Sequence, residues 1–108
     1  MDLELLTHPA PSSVHSQFHQ LVSEWKQQSQ FLSSATQMAM LRPYQRIIGI
    51  GPNAVPLILE ELKRETDFWF WALETITDEN PVSPDDSGFV GKMADAWLAW
   101  GRQRGLIS

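Results

Sequence analysis

Two histidines spaced four residues apart are the first side chains in this chain that could do chemistry. On one helix, His15 and His19 would lie one turn apart and could share a zinc or copper ion. A tight site needs three or four protein ligands, and the sequence signals no third ligand. We therefore predict no metal site, and we expect both imidazoles to flank the apolar face of a helix and contact water.

The acidic residues between the last two predicted helices suggest a second kind of ion site. Asp78, Glu79, Asp85 and Asp86 could together surround calcium. Their order lacks the D-x-[DN]-x-[DN]-G loop in which acidic side chains alternate around this ion. A solvated acidic connection, rich in proline, is the interpretation that the sequence favours.

The residues that could support catalysis lack the partners that catalysis needs. Glu61 and Glu65 form a carboxylate pair one helical turn apart, but nothing in the sequence desolvates them or positions a partner. All three histidines lie in the first 19 residues, away from any nucleophile motif. Gly49-Ile-Gly51 is too short for a phosphate loop and is typical of a turn between helices. We predict no catalytic residue and no cofactor, and a small carboxylate-dependent hydrolase is the least favoured alternative.

The charge distribution indicates which partners the chain could bind. The net charge is −5, and residues 60–86 carry nine acidic residues against Lys63 and Arg64. A nucleic-acid backbone would be repelled by this segment, whereas a basic protein would complement it. The alternative is a nucleic-acid-associated regulator, if folding gathers the basic residues on one face. Those residues are Arg42, Arg46, Lys92, Arg102 and Arg104.

Length and composition favour one folded domain. The chain has 108 residues, of which 43% are hydrophobic, and it has no cysteine. This composition differs from that of disordered chains and excludes disulfides and thiolate metal sites. The first residues show neither a basic signal region nor an apolar run long enough for a membrane span. We expect a soluble, cytoplasmic protein that does not enter membranes.

The hydrophobic pattern predicts helices throughout. Residues 1–12 are expected to form a flexible arm, and residues 13–108 a single helical domain. Helices are expected over residues 13–28 and 35–41, from Pro43, from a cap at Gly51 or Asn53 to about Glu65, after Thr66 or Asp67, and over residues 88–104. The predicted fold is all-α, with five to six short helices in antiparallel pairs, packed as a HEAT-like or compact helical bundle.

The five tryptophans divide into two groups. Four of them, Trp25, Trp69, Trp97 and Trp100, lie on stripes predicted to be buried. Trp71 falls outside those stripes, so another helix, a second subunit or a different protein must cover it. The residues predicted to bind a partner either lie near Trp71 in the sequence or, like Trp71, fall outside the stripes. They are Leu57, Trp71, Glu74, Asp78 and Leu98.

Residues 49–62 resemble the turn and second helix of a HEAT-type repeat, and Trp71-Ala72-Leu73 resembles the first helix of the next repeat. More broadly, residues from about 32 to 101 resemble a family of small, uncharacterised bacterial proteins. The resemblance rests on Tyr44-Gln45, Ile47-Ile48-Gly49, Pro56-Leu57-Ile58-Leu59, Trp69-Phe70-Trp71-Ala72-Leu73, Ile76-Thr77, Pro81-Val82 and Trp97-Leu98-Ala99-Trp100-Gly101. The chain departs from this family at Asp78, where glycine is expected. The resemblance implies a fold and no catalytic residue.

Together these patterns predict a non-catalytic protein-interaction module. Helical repeats present interaction surfaces rather than closed reaction pockets. The acidic charge favours a basic protein partner, which the domain would regulate or neutralise as a bacterial antitoxin does. A homo-oligomer is a further way to cover the apolar residues outside the stripes.

Overall fold

Serine, proline and glycine residues divide the chain into helices. The computed structural model describes residues 12–108, so the predicted arm lies outside the described residues except for its last residue. The α-helices are α1 (Ser12–Ser29), α2 (Ala35–Met40), α3 (Arg42–Ile50), α4 (Val55–Arg64), α5 (Phe70–Thr77) and α6 (Val90–Gln103), and short 3₁₀ helices span Gly51–Ala54 and Pro84–Asp86. No strand occurs between residues 12 and 108. The prediction of an all-α helical bundle is confirmed.

Local side-chain chemistry explains several helix ends. Ser34 caps α2, because its hydroxyl accepts a hydrogen bond from the Gln37 amide at 3.3 Å. Pro43 lies in the first turn of α3, where its missing N–H has no intrahelical acceptor. Gly51 ends α3 with a φ of +85°, which an L side chain rarely adopts.

Two helix starts differ from the predicted positions. α4 begins at Val55 after a 3₁₀ turn, and no side chain caps it, so the expected caps at Gly51 and Asn53 are wrong. α5 begins only at Phe70. The Asp67 carboxylate accepts a hydrogen bond from the Phe68 amide, which lies two residues before the helix, and no side chain caps α5 from the residue that precedes it.

Alternate helices pack against each other around one core. α1 packs on α3, α3 packs on α5, and α4 packs on α6. The core holds the four tryptophans that the stripes predicted to be buried. Its largest fully buried side chains are Trp25, Trp69, Trp97, Tyr44, Phe18, Ile47, Ile58, Leu59, Leu62 and Leu73.

An aromatic cluster joins α1, α3 and the start of α5. The ring centroids of Trp25 and Trp69 lie 4.6 Å apart, and the ring of Tyr44 stacks on Trp69 at 5.6 Å with an interplanar angle of 5°. The indole N–H of Trp25 donates to the Met38 carbonyl at 2.8 Å. Each aromatic ring thus buries a large apolar area, and the polar groups of Trp25 and Tyr44 are hydrogen-bonded.

The Tyr44 hydroxyl caps α5 from another helix. It donates to the Phe68 carbonyl at 2.9 Å and accepts from the Ala72 amide, in the first turn of α5, at 3.0 Å. That amide has no intrahelical acceptor, and the residue before the helix, Trp69, provides no side-chain cap. Burial raises the pKa of Tyr44 far above its ordinary value, so the hydroxyl stays protonated and able to donate.

The C-terminal end of α6 packs closely on α4. A Cβ atom at Gly101 would lie 2.7 Å from Cδ1 of Leu59, so only glycine fits without a shift of that side chain. Gly105, with a φ of +71°, ends the helix, and the Leu106 amide donates to the Gly101 carbonyl at 2.9 Å. Leu106 is exposed, whereas the next residue, Ile107, is buried.

None of the helices between residues 12 and 108 combines the length and the apolar character that crossing a bilayer requires.

Removing the hydroxyl oxygen of Tyr44 tests how much this cap of α5 contributes to the stability of the fold. We expect Tyr44→Phe to lower the free energy of unfolding by about 1–3 kcal/mol, because the buried Ala72 amide and Phe68 carbonyl lose their partner while the ring stays. Urea unfolding followed by tryptophan fluorescence measures this change. An unchanged midpoint and slope would show that the hydroxyl does not hold α5.

Candidate functional site

An apolar groove lies beside Trp71. Its volume is about 310 Å³, at the lower end of the range for ligand pockets. We call it the apolar groove and define it by the residues that line it, none of which has a charged side chain. They are Ala35, Ala39, Phe68, Phe70, Trp71, Gly88, Val90 and Met93.

Three parts of the chain form this groove. α2 contributes two alanines one turn apart, and the segment that enters α5 contributes three aromatic residues. Gly88, whose φ of +93° suits glycine, leads the chain toward the start of α6. The Tyr44 cap holds the first turn of α5, and this sets the position of the aromatic side chains in the groove.

Large apolar side chains remain in solvent on or beside this groove. Trp71 is 41% exposed, Met40 at the end of α2 is 52% exposed, and Phe89 immediately before α6 is 60% exposed. Of these three residues only Trp71 lines the groove itself, and Met40 and Phe89 adjoin groove residues in the chain. The groove therefore supplies both an anchor and a cavity.

Acidic residues flank the groove. Glu74 lies beside Trp71 in an adjoining shallow depression, and Asp67 immediately precedes a groove residue. Asp86 lies two residues before Gly88 and pairs with Lys92 at 3.9 Å, a distance typical of a weak surface pair. The flanking charge is therefore negative, with Lys92 as its one basic counterpart among these residues.

The structure brings some of the predicted binding residues together. Trp71 and Glu74 line the same depression on α5. Asp78 follows at the C-terminal end of that helix, seven residues after Trp71, with its amide donating to the Glu74 carbonyl at 2.8 Å. Its φ of +60° is left-handed, a conformation that glycine adopts at no steric cost.

The other two predicted binding residues lie elsewhere. Leu57 lines a separate pocket of about 580 Å³ with His15, His19 and Leu106. Leu98 on α6 is half-buried against the core. The residues outside the predicted stripes thus do not form one surface.

Sequence reasoning missed the part of the groove that α6 contributes. Phe89, Val90 and Met93 continue the helical stripe of Trp97, a pattern that by itself predicts burial. Instead Phe89 is exposed, and Val90 and Met93 line the groove half-buried.

A network of ion pairs joins α1 to α4. Lys26 Nζ lies 3.3 Å from Glu61 Oε2 and 2.6 Å from Glu65 Oε1, and Arg64 also binds Glu61. Glu61 is only 3% exposed. Burial alone would raise the pKa of Glu61, but hydrogen bonds from Arg64 and Lys26 outweigh it and lower that pKa below its ordinary value. The hydrogen bond from Lys26 also lowers the pKa of Glu65.

This network bears on the hydrolase alternative. A carboxylic acid that donates a proton near neutral pH needs a raised pKa, whereas the pKa values of Glu61 and Glu65 are both lowered. Their oxygens are held by ion pairs with Lys26 and Arg64. The pair is therefore arranged to hold two helices together.

The histidine pair lies near this network. The ring centroids of His15 and His19 are 5.5 Å apart. Across residues 14–108, histidine and acidic side chains nowhere form a group of three suited to a metal ion. The two imidazoles therefore lack a third ligand within the described side chains.

The acidic connection after α5 is tied to α6. Glu79 Oε1 accepts from Arg104 Nη2 at 2.7 Å and from the Trp100 indole at 3.2 Å. The hydrogen bond from Arg104, followed by that from Trp100, lowers the pKa of Glu79. These contacts therefore hold this part of the connection against the C-terminal end of α6.

The basic residues of the nucleic-acid alternative are divided between two places. Arg42 and Arg46 line an open groove of about 760 Å³ with Gln17, Gln45 and Asn53. The remaining three lie on or directly after α6. Lys92 and Arg104 pair with acidic residues there, and Arg102 donates to the Ser108 carbonyl at 3.3 Å.

Comparison with models of protein families, with curated proteins and with solved structures finds no match to this chain. The resemblance to HEAT-type repeats and to a bacterial family therefore stays a prediction.

The ion-pair network makes the free energy of unfolding depend on pH. Because folding lowers the pKa of Glu61 from 4.5, its stabilising contribution is complete above about pH 4.5 and is lost as the pH falls through the folded-state pKa. We expect Glu61→Gln to lower the free energy of unfolding at pH 7 by about 1–3 kcal/mol. The variant should then lose less stability than the native chain between pH 7 and pH 3, as measured by urea unfolding.

Glu65→Gln is the matched control, since Glu65 is an exposed member of the same network. At pH 7 it should change stability less than Glu61→Gln does. Equal effects of the two substitutions would contradict a special contribution from the buried carboxylate.

Proposed function

We propose that this domain is a non-catalytic module that binds a protein partner through the apolar groove and so regulates or neutralises it. The observation that carries the proposal is the exposed face of Trp71 at the edge of this groove. Tryptophan is among the residues that contribute most to binding energy at protein interfaces, above all beside a pocket that excludes water. An indole kept 41% exposed in a chain that buries its other large aromatic residues on α1, α3 and α5 supports such a use.

The charge around the groove supports a basic partner. Glu74, Asp67 and Asp86 lie beside or next to residues that contact the groove, and the chain as a whole carries a net charge of −5. Opposite charge at the rim of an interface accelerates association and excludes partners with the wrong sign. An antitoxin-like protein that blocks a basic target would combine these two features.

Trp71→Ala tests the proposal directly. Native protein bearing an affinity tag is purified from its host, and the proteins that accompany it are identified and produced in pure form. We expect the substitution to weaken binding of the purified partner at least about tenfold, as removal of an aromatic anchor does. The melting temperature should change little, because Trp71 is not part of the core.

Leu106→Ala is the matched control, because Leu106 is a comparably exposed apolar residue in the separate pocket beside Leu57. It should leave partner affinity unchanged. Equal affinity of the native chain and Trp71→Ala would contradict the proposal. Loss of a dimer in sedimentation equilibrium upon Trp71→Ala would instead assign the groove to a second copy of this chain.

A second candidate function rests on the groove beside Arg42 and Arg46. Within the described residues neither guanidinium has an ion-pair partner, and no acidic side chain lines this groove. Two arginines one turn apart, beside side-chain amides, could contact phosphates. A nucleic-acid-associated regulator would use this face rather than α6.

A gel-shift titration at increasing salt tests this second candidate. If it holds, single-stranded or duplex oligonucleotide binds the native chain, and affinity falls steeply with salt as counterions are released. The Arg42→Gln, Arg46→Gln double variant should then bind at least about tenfold more weakly at low salt. Lys63→Gln is the control. Absence of a salt-sensitive shift removes the candidate.

A further inference from the structure

We propose that the occupant of the apolar groove is an amphipathic α-helix of the partner, with apolar anchors on one face and lysine or arginine beside them. This inference rests on the proposed function and names the kind of segment that the groove accepts. It follows from the chemistry of the lining, the size of the residues at its walls and the charge around it.

The lining requires a ligand whose backbone is already hydrogen-bonded. All eight residues that line the groove have apolar side chains or are glycine, and the Trp71 indole N–H is the only polar side-chain group among them. The side chains of the lining offer an extended peptide almost no partners for its amide and carbonyl groups, whereas a helix satisfies these groups internally. The described residues also contain no strand edge on which an extended peptide could add.

The walls allow a helix to approach closely. Ala35 and Ala39 lie one turn apart on α2, and Gly88 lines the groove shortly before α6. Small side chains permit short distances between helix backbones, and aromatic residues from the start of α5 then contact the anchors of the incoming helix. A volume of about 310 Å³ admits anchor side chains but not the helix backbone, so the helix would lie across the opening.

The acidic residues near the groove determine which charge the flanking residues of the bound helix should carry. Glu74 lies beside Trp71, and Asp67 and Asp86 lie close in sequence to Phe68 and Gly88. A helix whose apolar anchors enter the groove beside Trp71 would bring its neighbouring residues close to Glu74. Lysine or arginine there would be favourable, and glutamate or aspartate would be repelled.

Selection from a displayed library of random peptides tests the inference before any partner is identified. The peptides are about 16 residues long, enough for four helical turns. Selections run in parallel on the native chain, on Trp71→Ala and on Leu106→Ala. We expect peptides enriched on the native chain and on Leu106→Ala to share apolar residues at i, i+3 or i+4 and i+7, with an excess of lysine and arginine.

Synthetic versions of the enriched peptides should gain helical circular dichroism on binding and should bind Trp71→Ala at least about tenfold more weakly. Proline-rich or alternating sequences that depend on Trp71 would overturn the helical occupant and leave the proposed function standing. Enriched peptides with an excess of aspartate and glutamate would overturn the inference that the bound helix carries lysine or arginine beside its anchors. Enrichment that is absent, or equal on Trp71→Ala, would overturn the groove as a docking site, and the proposed function with it.

Discussion

The hydroxyl of Tyr44 is the contact on which the arrangement of this domain depends. It is the point where a side chain of α3 replaces the missing N-terminal cap of α5. The same ring stacks on Trp69, which in turn contacts Trp25 of α1. One tyrosine therefore combines apolar packing, which is not directional, with two hydrogen bonds, which are directional. The stacked rings hold three parts of the chain together, and the hydrogen bonds determine where α5 begins.

The position of the apolar groove follows from that constraint. Phe70 and Trp71 are the first two residues of α5, so the cap that fixes this turn also fixes the direction of both side chains. Phe70 turns toward the core and is 7% exposed, whereas Trp71 is directed outward. Their different burial is a consequence of helical geometry, since adjacent residues point about 100° apart. The core and the proposed binding site are thus neighbouring faces of one short helix.

The charged residues serve two different purposes in the described part of the chain. On the side of α1 and α4, Glu61 is buried and neutralised by Lys26 and Arg64. Around the apolar groove, Glu74 and Asp67 make no ion pair with another described residue. Acidic residues that were adjacent in one negative segment of the sequence are therefore separated by folding. One group joins α1 to α4, and the other lies on or before α5 without an ion pair among the described residues.

Helical periodicity alone was sufficient to determine the fold class and most of the core. The apolar spacing of Trp25, Trp69 and Trp97 predicts burial because a helix with such a stripe must pack on something. Ser34 and Pro43 locate helix ends, since capping and the missing proline N–H act within one turn. Tertiary structure decided the rest. The Tyr44 cap and the use of Val90 and Met93 in a groove depend on contacts between segments distant in the chain, and no local pattern encodes which helix covers which stripe.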